Sequence, residues 1–411
     1  MRREPTKNEE ALTASRDGAS RREEPASSRI IVCLGPGGVG KTTCSAAIAL
    51  RAALSGRRAL VCTLDPARRL ATSLGLSDLP RDPHPLPRHH LREAGLDPDL
   101  PLHAMRLDVQ NAFGRVLRRD VAEAALIDGI ESNRLYRQLV GDVEGVQAYA
   151  AIAQIVELAD SDRWDAVVLD TPPTRHVRQL LEAPRRIIDA VESPVFRWLL
   201  APTLAARSAG FGLIRLTRNR LIRKMAKVVG GAFVHELAEL VGLMGMSIDV
   251  IRQKADRAAD LLSSPQVGYV VVSCPLPGRA REALELAREL DDGNMTLRAA
   301  VVNRVHPPPP AGWVAPDEET LKESLLRSQQ AERLDDERCL SLAKELLGLH
   351  RDYQALARSD QRSIAAMREG LPQRAPVLVI PLLERDPSTL DHLRSLSVHL
   401  EALWPERWPE Q

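Results

Sequence analysis

Between Gly35 and Thr43 the chain reads Gly35-Pro36-Gly37-Gly38-Val39-Gly40-Lys41-Thr42-Thr43, a complete match to G-x-x-x-x-G-K-[ST]. These residue types at this spacing fit one chemistry, the holding of a phosphate chain. Glycines let backbone N–H groups close around anionic oxygens. A helix beginning near Lys41 would add the positive end of its dipole. Lys41 would reach the β- and γ-phosphates of a nucleoside triphosphate, and the Thr42 hydroxyl would hold Mg2+. The same letters, Gly35-Pro36-Gly37-Gly38-Val39-Gly40, also fit G-x-G-x-x-G, and Asp65 ends the next apolar run, which is the form of a dinucleotide fingerprint. The pair Lys41-Thr42 weighs against that reading, because a pyrophosphate on a helix N-terminus has no need of it.

Two acids close apolar runs. Asp65 precedes Pro66-Ala67-Arg68, so it suits a helix N-cap and also places a carboxylate where it could orient or deprotonate water. Asp170 ends Ala166-Val167-Val168-Leu169 and is followed by Thr171-Pro172-Pro173-Thr174, the form of a Walker B element whose Asp supports Mg2+. Asn303-Arg304 closes a further run, and an amide there could read a purine ring.

These residues need elements to position them. Apolar runs at Ile30–Leu34, Ala59–Leu64, Leu102–Leu107, Ala166–Leu169, Val267–Ser273, Ala299–Val302 and Val377–Ile380 read as strands, with helical patterns between most of them. That alternation predicts a doubly wound, mostly parallel α/β sheet with helices on both faces. Ligands then sit at the C-terminal ends of the strands, where Gly35, Asp65, Asp170 and Asn303 all fall.

The remaining sequence bounds the reading. The chain has 411 residues, 44% of them hydrophobic, with formal net charge +1 and 3% aromatics. That is enough for a large core, and neither the charge balance nor the aromatic content points to nucleic acid. Cys33, Cys44, Cys62, Cys274 and Cys339 are dispersed with no C-x-x-C pair, which excludes a zinc clamp of that form and fits buried thiols in a reducing cytoplasm. No apolar run reaches the length of a membrane span. The domain is expected over 29–403, with polar tails at 1–28 and 404–411 and helical insertions around 109–160 and 185–262. In the second insertion Phe233, Leu237, Leu240, Val241, Met244, Ile248 and Ile251 follow helical spacing, as a core stripe would. Ser193 to His235 contains no acid, and Arg197, Arg207, Arg215, Arg218, Arg220, Arg223, Lys224 and Lys227 alternate with apolar residues. Such a segment is either a solvated helix face or a surface for anionic lipid or a partner. The stretch from Leu79 to Pro101, rich in Pro and His, reads as a loop.

Taken together, the phosphate loop, Thr63-Leu64-Asp65-Pro66-Ala67-Arg68-Arg69-Leu70, Asp170-Thr171-Pro172-Pro173-Thr174-Arg175-His176, Val302-Asn303-Arg304 and Ile380-Pro381-Leu382-Leu383-Glu384 resemble the ArsA/Get3 family of ATPases. The resemblance runs from about Arg29 to Leu403. It implies a cytoplasmic Mg-ATPase that dimerises around ATP, as a homodimer or with a related chain, and acts on a protein or membrane partner. By position it assigns Lys41 and Asp65 to catalysis. Gly37, Gly38, Val39, Gly40, Lys41, Thr42 and Thr43 go to the phosphates, Asn303, Pro381 and Leu382 to the adenine, and Thr42 and Asp170 to Mg2+. Where the family carries a Lys that reaches the partner's phosphates, this chain has Pro36; Arg175 is a substitute cation. Hydrolysis is therefore expected to be slow. The family's zinc-binding Cys pair and a compact Cys trio for arsenite or antimonite are missing, so neither cargo is expected. Two other readings stay open, a nucleotide-sensing scaffold with little turnover and the energising subunit of a metalloid efflux system.

Overall fold

The structure is a computed structural model. It describes residues 29–64, 68–107, 128–130, 132–134, 144–172, 177–194, 236, 240, 248–310, 312–328, 335–383 and 389–404. Asp65, Arg175, the basic segment 197–227 and most of the two insertions lie outside these residues.

Chain order begins with β1 (Ile30–Leu34), α1 (Lys41–Leu54), β2 (Ala59–Thr63), α2 (Arg68–Ser73), β3 (His84–Pro85), α3 (Arg88–Glu93) and β4 (Leu102–Arg106). It continues with α4 (Glu144–Asp160), β5 (Ala166–Asp170), α5 (Val177–Glu192), α6 (Ile248–Ser263), β6 (Val267–Ser273) and α7 (Pro277–Asp292). β7 (Thr296–Val305), α8 (Glu318–Leu326), α9 (Asp336–Gly370), β8 (Val377–Pro381) and α10 (Leu390–Ser397) follow, with a 3-10 turn at Val398–Leu403.

Eight strands form one sheet in the order β3-β4-β2-β5-β1-β6-β7-β8. Every pairing is parallel except the antiparallel edge pair of β3 with β4. The connection from β1 leads through α1 to β2 on one side, and the connection from β6 leads through α7 to β7 on the other. The chain therefore parts at the neighbouring strands β1 and β6, and a crevice opens at their C-terminal ends.

Burial explains the apolar runs. All residues of β1, β2, β5 and β6 are buried, so their side chains alternate between two packed faces rather than between core and water. Ile31, Cys33, Val61 and Val168 meet α1, α2, α3 and α10 on one face. Ile30, Val32, Leu60 and Leu169 meet α4, α6, α7 and α9 on the other. Each fully buried aliphatic contributes about 1.5–3 kcal/mol over its exposed state, enough to specify this two-sided register. Of the stripe read in the second insertion, Leu240, Ile248 and Ile251 fall among the described residues, and Leu240 and Ile251 are buried.

Two short elements occupy the stretch read as a loop. β3 is a two-residue edge strand containing Pro85, a position where a missing N–H donor is tolerated. α3 is a six-residue helix anchored by the buried Leu91. Trp404, assigned from sequence to the start of a tail, is only 2% exposed. No helix among the described residues is long and apolar enough to cross a membrane.

Candidate active site

β1 delivers the chain into the crevice at Gly35, where φ is +149° and an added Cβ would fall 2.0 Å from the Val272 carbonyl oxygen of β6. Only glycine fits there. Five residues on, Gly40 ends the loop at φ +92° and starts α1 without a side-chain cap. α1 is then sustained by Ala, Leu and Ile and carries no acid in its first turn. An uncapped helix N-terminus facing a crevice favours an anion.

Lys41 is buried, and its Nζ donates to the carbonyls of Gly35 and Pro36, both at 3.0 Å. The ammonium therefore lies folded against its own loop. Pro36 is itself buried. Gly37 and Gly40 are half-buried, Gly38 is exposed and Val39 is buried, while Thr42 and Thr43 are half-buried beside Lys41.

Asp170 ends β5 with no exposed surface, flanked in register by Thr63 of β2 and Cys33 of β1. Its carboxylate accepts from Thr63 Oγ1 at 3.0 Å, and Ser45 Oγ lies 3.5 Å from it. The Ser45 hydroxyl lies 2.9 Å from the Lys41 carbonyl and shares its one proton between the two oxygens, which links the acid to the first turn of α1. The next residue, Thr171, donates its hydroxyl to the Cys33 carbonyl at 2.7 Å and ties the exit of β5 to the start of the loop. Three thiols line this region. Burial, with the charge of Asp170 adding to it, pushes Cys33 and Cys62 well above the ordinary thiol range and Cys44 up to about 12. The thiols stay neutral, and the carboxylate sits in a poorly hydrated setting where its interactions with cations are strong.

A hydroxyl and a carboxylate are hard oxygen donors of the kind Mg2+ takes together with phosphate oxygens. The buried, hydroxyl-held Asp170 and the half-buried Thr42 in the first turn of α1 are donors of the kind that ion takes. The backbone cradle from Gly35 to Gly40 fits the phosphates.

On the far side of the loop, Asn303 and Arg304 lie at the C-terminal end of β7. Asn303, read from sequence as a purine contact, donates its side-chain amide to the Val39 carbonyl at 2.9 Å. A Cβ on Gly40 would meet that amide at 2.3 Å, which accounts for the second special glycine. Arg304 Nη1 donates to the Gly38 carbonyl at 3.2 Å. Pro381 pairs with Val305, and the Leu382 N–H donates to the Val305 carbonyl at 2.7 Å, which brings the β8 end beside the β7 end. The structure thus gathers Lys41, Thr42, Asp170, Asn303, Pro381 and Leu382 on one edge of the sheet. Sequence reasoning did not single out Ser45 or the contacts of Thr63 and Arg304. Two of these had a visible signal, a hydroxyl ending β2 and a cation following Asn303.

Comparison with known proteins bears on this arrangement. Residues 28–313 match the sequence model of a family described as anion-transporting ATPase. The matched part holds the loop, Asp170 and Asn303-Arg304, and stops before α8, α9 and β8. The ATPase ARSA2 of Chlamydomonas reinhardtii is 26% identical over 274 residues, 66% of this chain and 66% of the relative. The ATPase get3 of Aspergillus terreus is 28% identical over 273 residues, 66% of this chain and 71% of the relative. A protein named putative arsenical pump-driving ATPase, from Prosthecochloris vibrioformis, is 30% identical over 156 residues, 38% of this chain and 36% of the relative. The chain therefore spans between 36% and 71% of the lengths of these relatives.

Proposed function

The chain belongs to the anion-transporting ATPase family, and from that premise we propose that it binds and hydrolyses Mg-ATP and uses the cycle to switch conformation on a protein or membrane partner. The observation that carries this reading is the buried Lys41 ammonium, held by two carbonyls of a glycine loop at an uncapped helix N-terminus. A buried cation folded against a glycine loop at a helix N-terminus is placed to receive an anionic ligand.

Catalysis in this reading is positioning and charge stabilisation. The loop N–H groups from Gly37 to Thr43 and the Lys41 ammonium hold the phosphate chain and take up charge on the transferring group. Thr42 and Asp170 would hold Mg2+, which would supply positive charge against that of the phosphate chain. Asp65 comes two residues after the end of β2 in the sequence and would orient the attacking water. Asn303, Pro381 and Leu382 would border the base. Dimerisation around nucleotide, as a homodimer or with a related chain, is part of the proposal, as is a cytoplasmic location. So is adhesion of the basic segment 197–227 to anionic membrane. Flotation with anionic vesicles that is lost on neutralising Arg218, Arg220, Arg223 and Lys224 tests the last point.

The central test is Lys41→Ala. ATP binding measured by titration calorimetry and phosphate release should both fall by at least tenfold; unchanged values refute the reading. A second reading has an observation of its own. Pro36 is buried and has no side-chain donor, so the loop offers no cation to a partner subunit from that position. This favours slow turnover or a nucleotide sensor. Tight ATP binding with turnover far below one per minute, alone and with co-purifying chains, would decide for the sensor. The pump-driving role printed in the name of the Prosthecochloris relative is a third reading, and stimulation of turnover by arsenite would support it. The five buried, dispersed cysteines give it no support.

A further inference from the structure

Near its C-terminal end β7 departs from regular pairing. Its register with β8 runs from Ala300↔Val377 to Val302↔Val379, then shifts and resumes at Val305↔Pro381. Asn303 and Arg304 occupy the irregularity. Arg304 has φ +62°, in the left-handed region that a residue with a side chain enters only at a conformational cost. Asn303 secures this turn, because its side-chain oxygen accepts from the Arg304 N–H at 2.9 Å while its amide grips Val39. The turn sends the guanidinium back over the phosphate loop, where Nη1 reaches the Gly38 carbonyl at 3.2 Å.

That carbonyl is a small use of a group with five N–H donors and a full charge. Some exposed arginines here are held by carboxylates, as Arg58 is by Asp165, Arg252 by Glu192 and Arg257 by Asp160. Arg304 makes no ion pair among the described residues and stays exposed beside the exposed Gly38. The fold does not require arginine at this position. Glycine would adopt φ +62° without strain and preserve the N–H that Asn303 binds. An arginine kept in a strained turn, without a carboxylate and against a phosphate-binding loop, is poised for an anion.

The geometry points to Arg304 as a ligand of the nucleotide's phosphate tail, a cation brought in cis from β7 to the side of the loop where Pro36 supplies none. This rests on the nucleotide reading above. A planar fork of donors matches two phosphate oxygens, so its contribution should follow the phosphates and not the base.

The test compares wild type, Arg304→Gly and Arg304→Lys by calorimetric titration with ATP and with adenosine, and by thermal melting without nucleotide. Arg304→Gly should weaken ATP binding by roughly tenfold to a hundredfold, as for a charge-assisted contact, and leave adenosine binding unchanged. Arg304→Lys should restore part of the loss, because it keeps the charge without the fork. The nucleotide-free midpoint of Arg304→Gly should equal or exceed the wild-type value, since strain is relieved. Unchanged ATP affinity in Arg304→Gly beside normal wild-type binding overturns this inference alone. Equal losses for ATP and adenosine overturn it by assigning the residue to the base. A lowered nucleotide-free midpoint with a lysine variant no better than glycine overturns it by making Arg304 a structural clamp. A wild-type chain that binds no ATP overturns both this inference and the nucleotide reading.

Discussion

Thr63 and Asp170 are register partners on adjacent strands, and the Thr63 hydroxyl donates to the buried Asp170 carboxylate at 3.0 Å. The bond joins the strand that leads to Asp65 with the strand that carries the acid proposed to hold Mg2+. Displacement of either end is therefore felt at the other. Thr63→Val keeps the shape and removes the donor. It should lower stability by about 1–3 kcal/mol, the cost of leaving a buried acceptor short of a partner. It should also weaken the Mg2+ dependence of ATP binding. Urea unfolding and Mg2+ titrations in the presence of ATP measure the two effects, and no change in either would mean that the bond is dispensable.

Two loop glycines should differ in tolerance. A Cβ on Gly35 meets backbone of a core strand at 2.0 Å, whereas a Cβ on Gly40 meets the end of the Asn303 side chain at 2.3 Å. Backbone cannot yield; an amide can swing away at the loss of one hydrogen bond. Both alanines are strained by positive φ. Gly35→Ala should abolish the native melting transition or lower it by tens of degrees. Gly40→Ala should fold with a midpoint lowered by several degrees and with weaker nucleotide binding. Circular dichroism melts of the two variants give the comparison.

Removing the carboxylate of Asp65 separates binding from chemistry. With Asp65→Asn, ATP affinity should stay within about twofold of wild type while the single-turnover rate falls by about 10²–10⁴, the range for loss of a positioned base. Loss of affinity with an unchanged rate would remove Asp65 from the water-positioning role.

Much of this was legible beforehand, for physical reasons that particular residues make plain. β1, β2, β5 and β6 are buried on both faces, so their sequences had to be continuous apolar runs. β7 was read only over Ala299–Val302, because Arg298 near its start and Asn303-Arg304 near its end interrupt the run. β3 exists through pairing with β4, a non-local contact that His84 and Pro85 do not announce. Lys41 and Asp170 stood out as candidates because phosphate and magnesium chemistry would restrict residue type, and the structure places both at the C-terminal end of the sheet. The Thr63–Asp170 bond did not stand out, since it depends on β2 lying beside β5, an order that local patterns do not state. Asn303 was read for its amide, and that amide is engaged on the phosphate loop.

Acidification should destabilise the chain through two histidines. Burial lowers the titration range of His103, helped by the nearby Arg163, and burial lowers that of His399. A histidine held neutral in the fold lets the unfolded chain take up protons first as pH falls. Its stability contribution is therefore full above about 6.5 and declines as pH falls from there toward the folded-state value. Asp165 acts in another window. Arg58 holds its carboxyl below the usual range, so that contribution is lost only as pH falls below about 3.9. Melting midpoints at pH 7.5 and 5.5 should differ less in His103→Gln/His399→Gln than in wild type. An equal difference would exclude these two groups.

The helix that carries Lys41 is covered on its outer face by the far end of the chain. Leu393, Leu396, Leu400 and Trp404 share a core with Ile48 and Leu50, and Arg51 binds Glu401 across 350 residues. During synthesis this separation becomes time. At bacterial or eukaryotic elongation rates of about 5–20 residues per second, roughly 20 to 70 s pass between emergence of the two sides. For that interval the nascent chain displays the helix of Lys41 with its apolar back bare. The helix is closed over only once the segment 390–404 is made, so chaperone cover is needed most on a segment made among the first sixty.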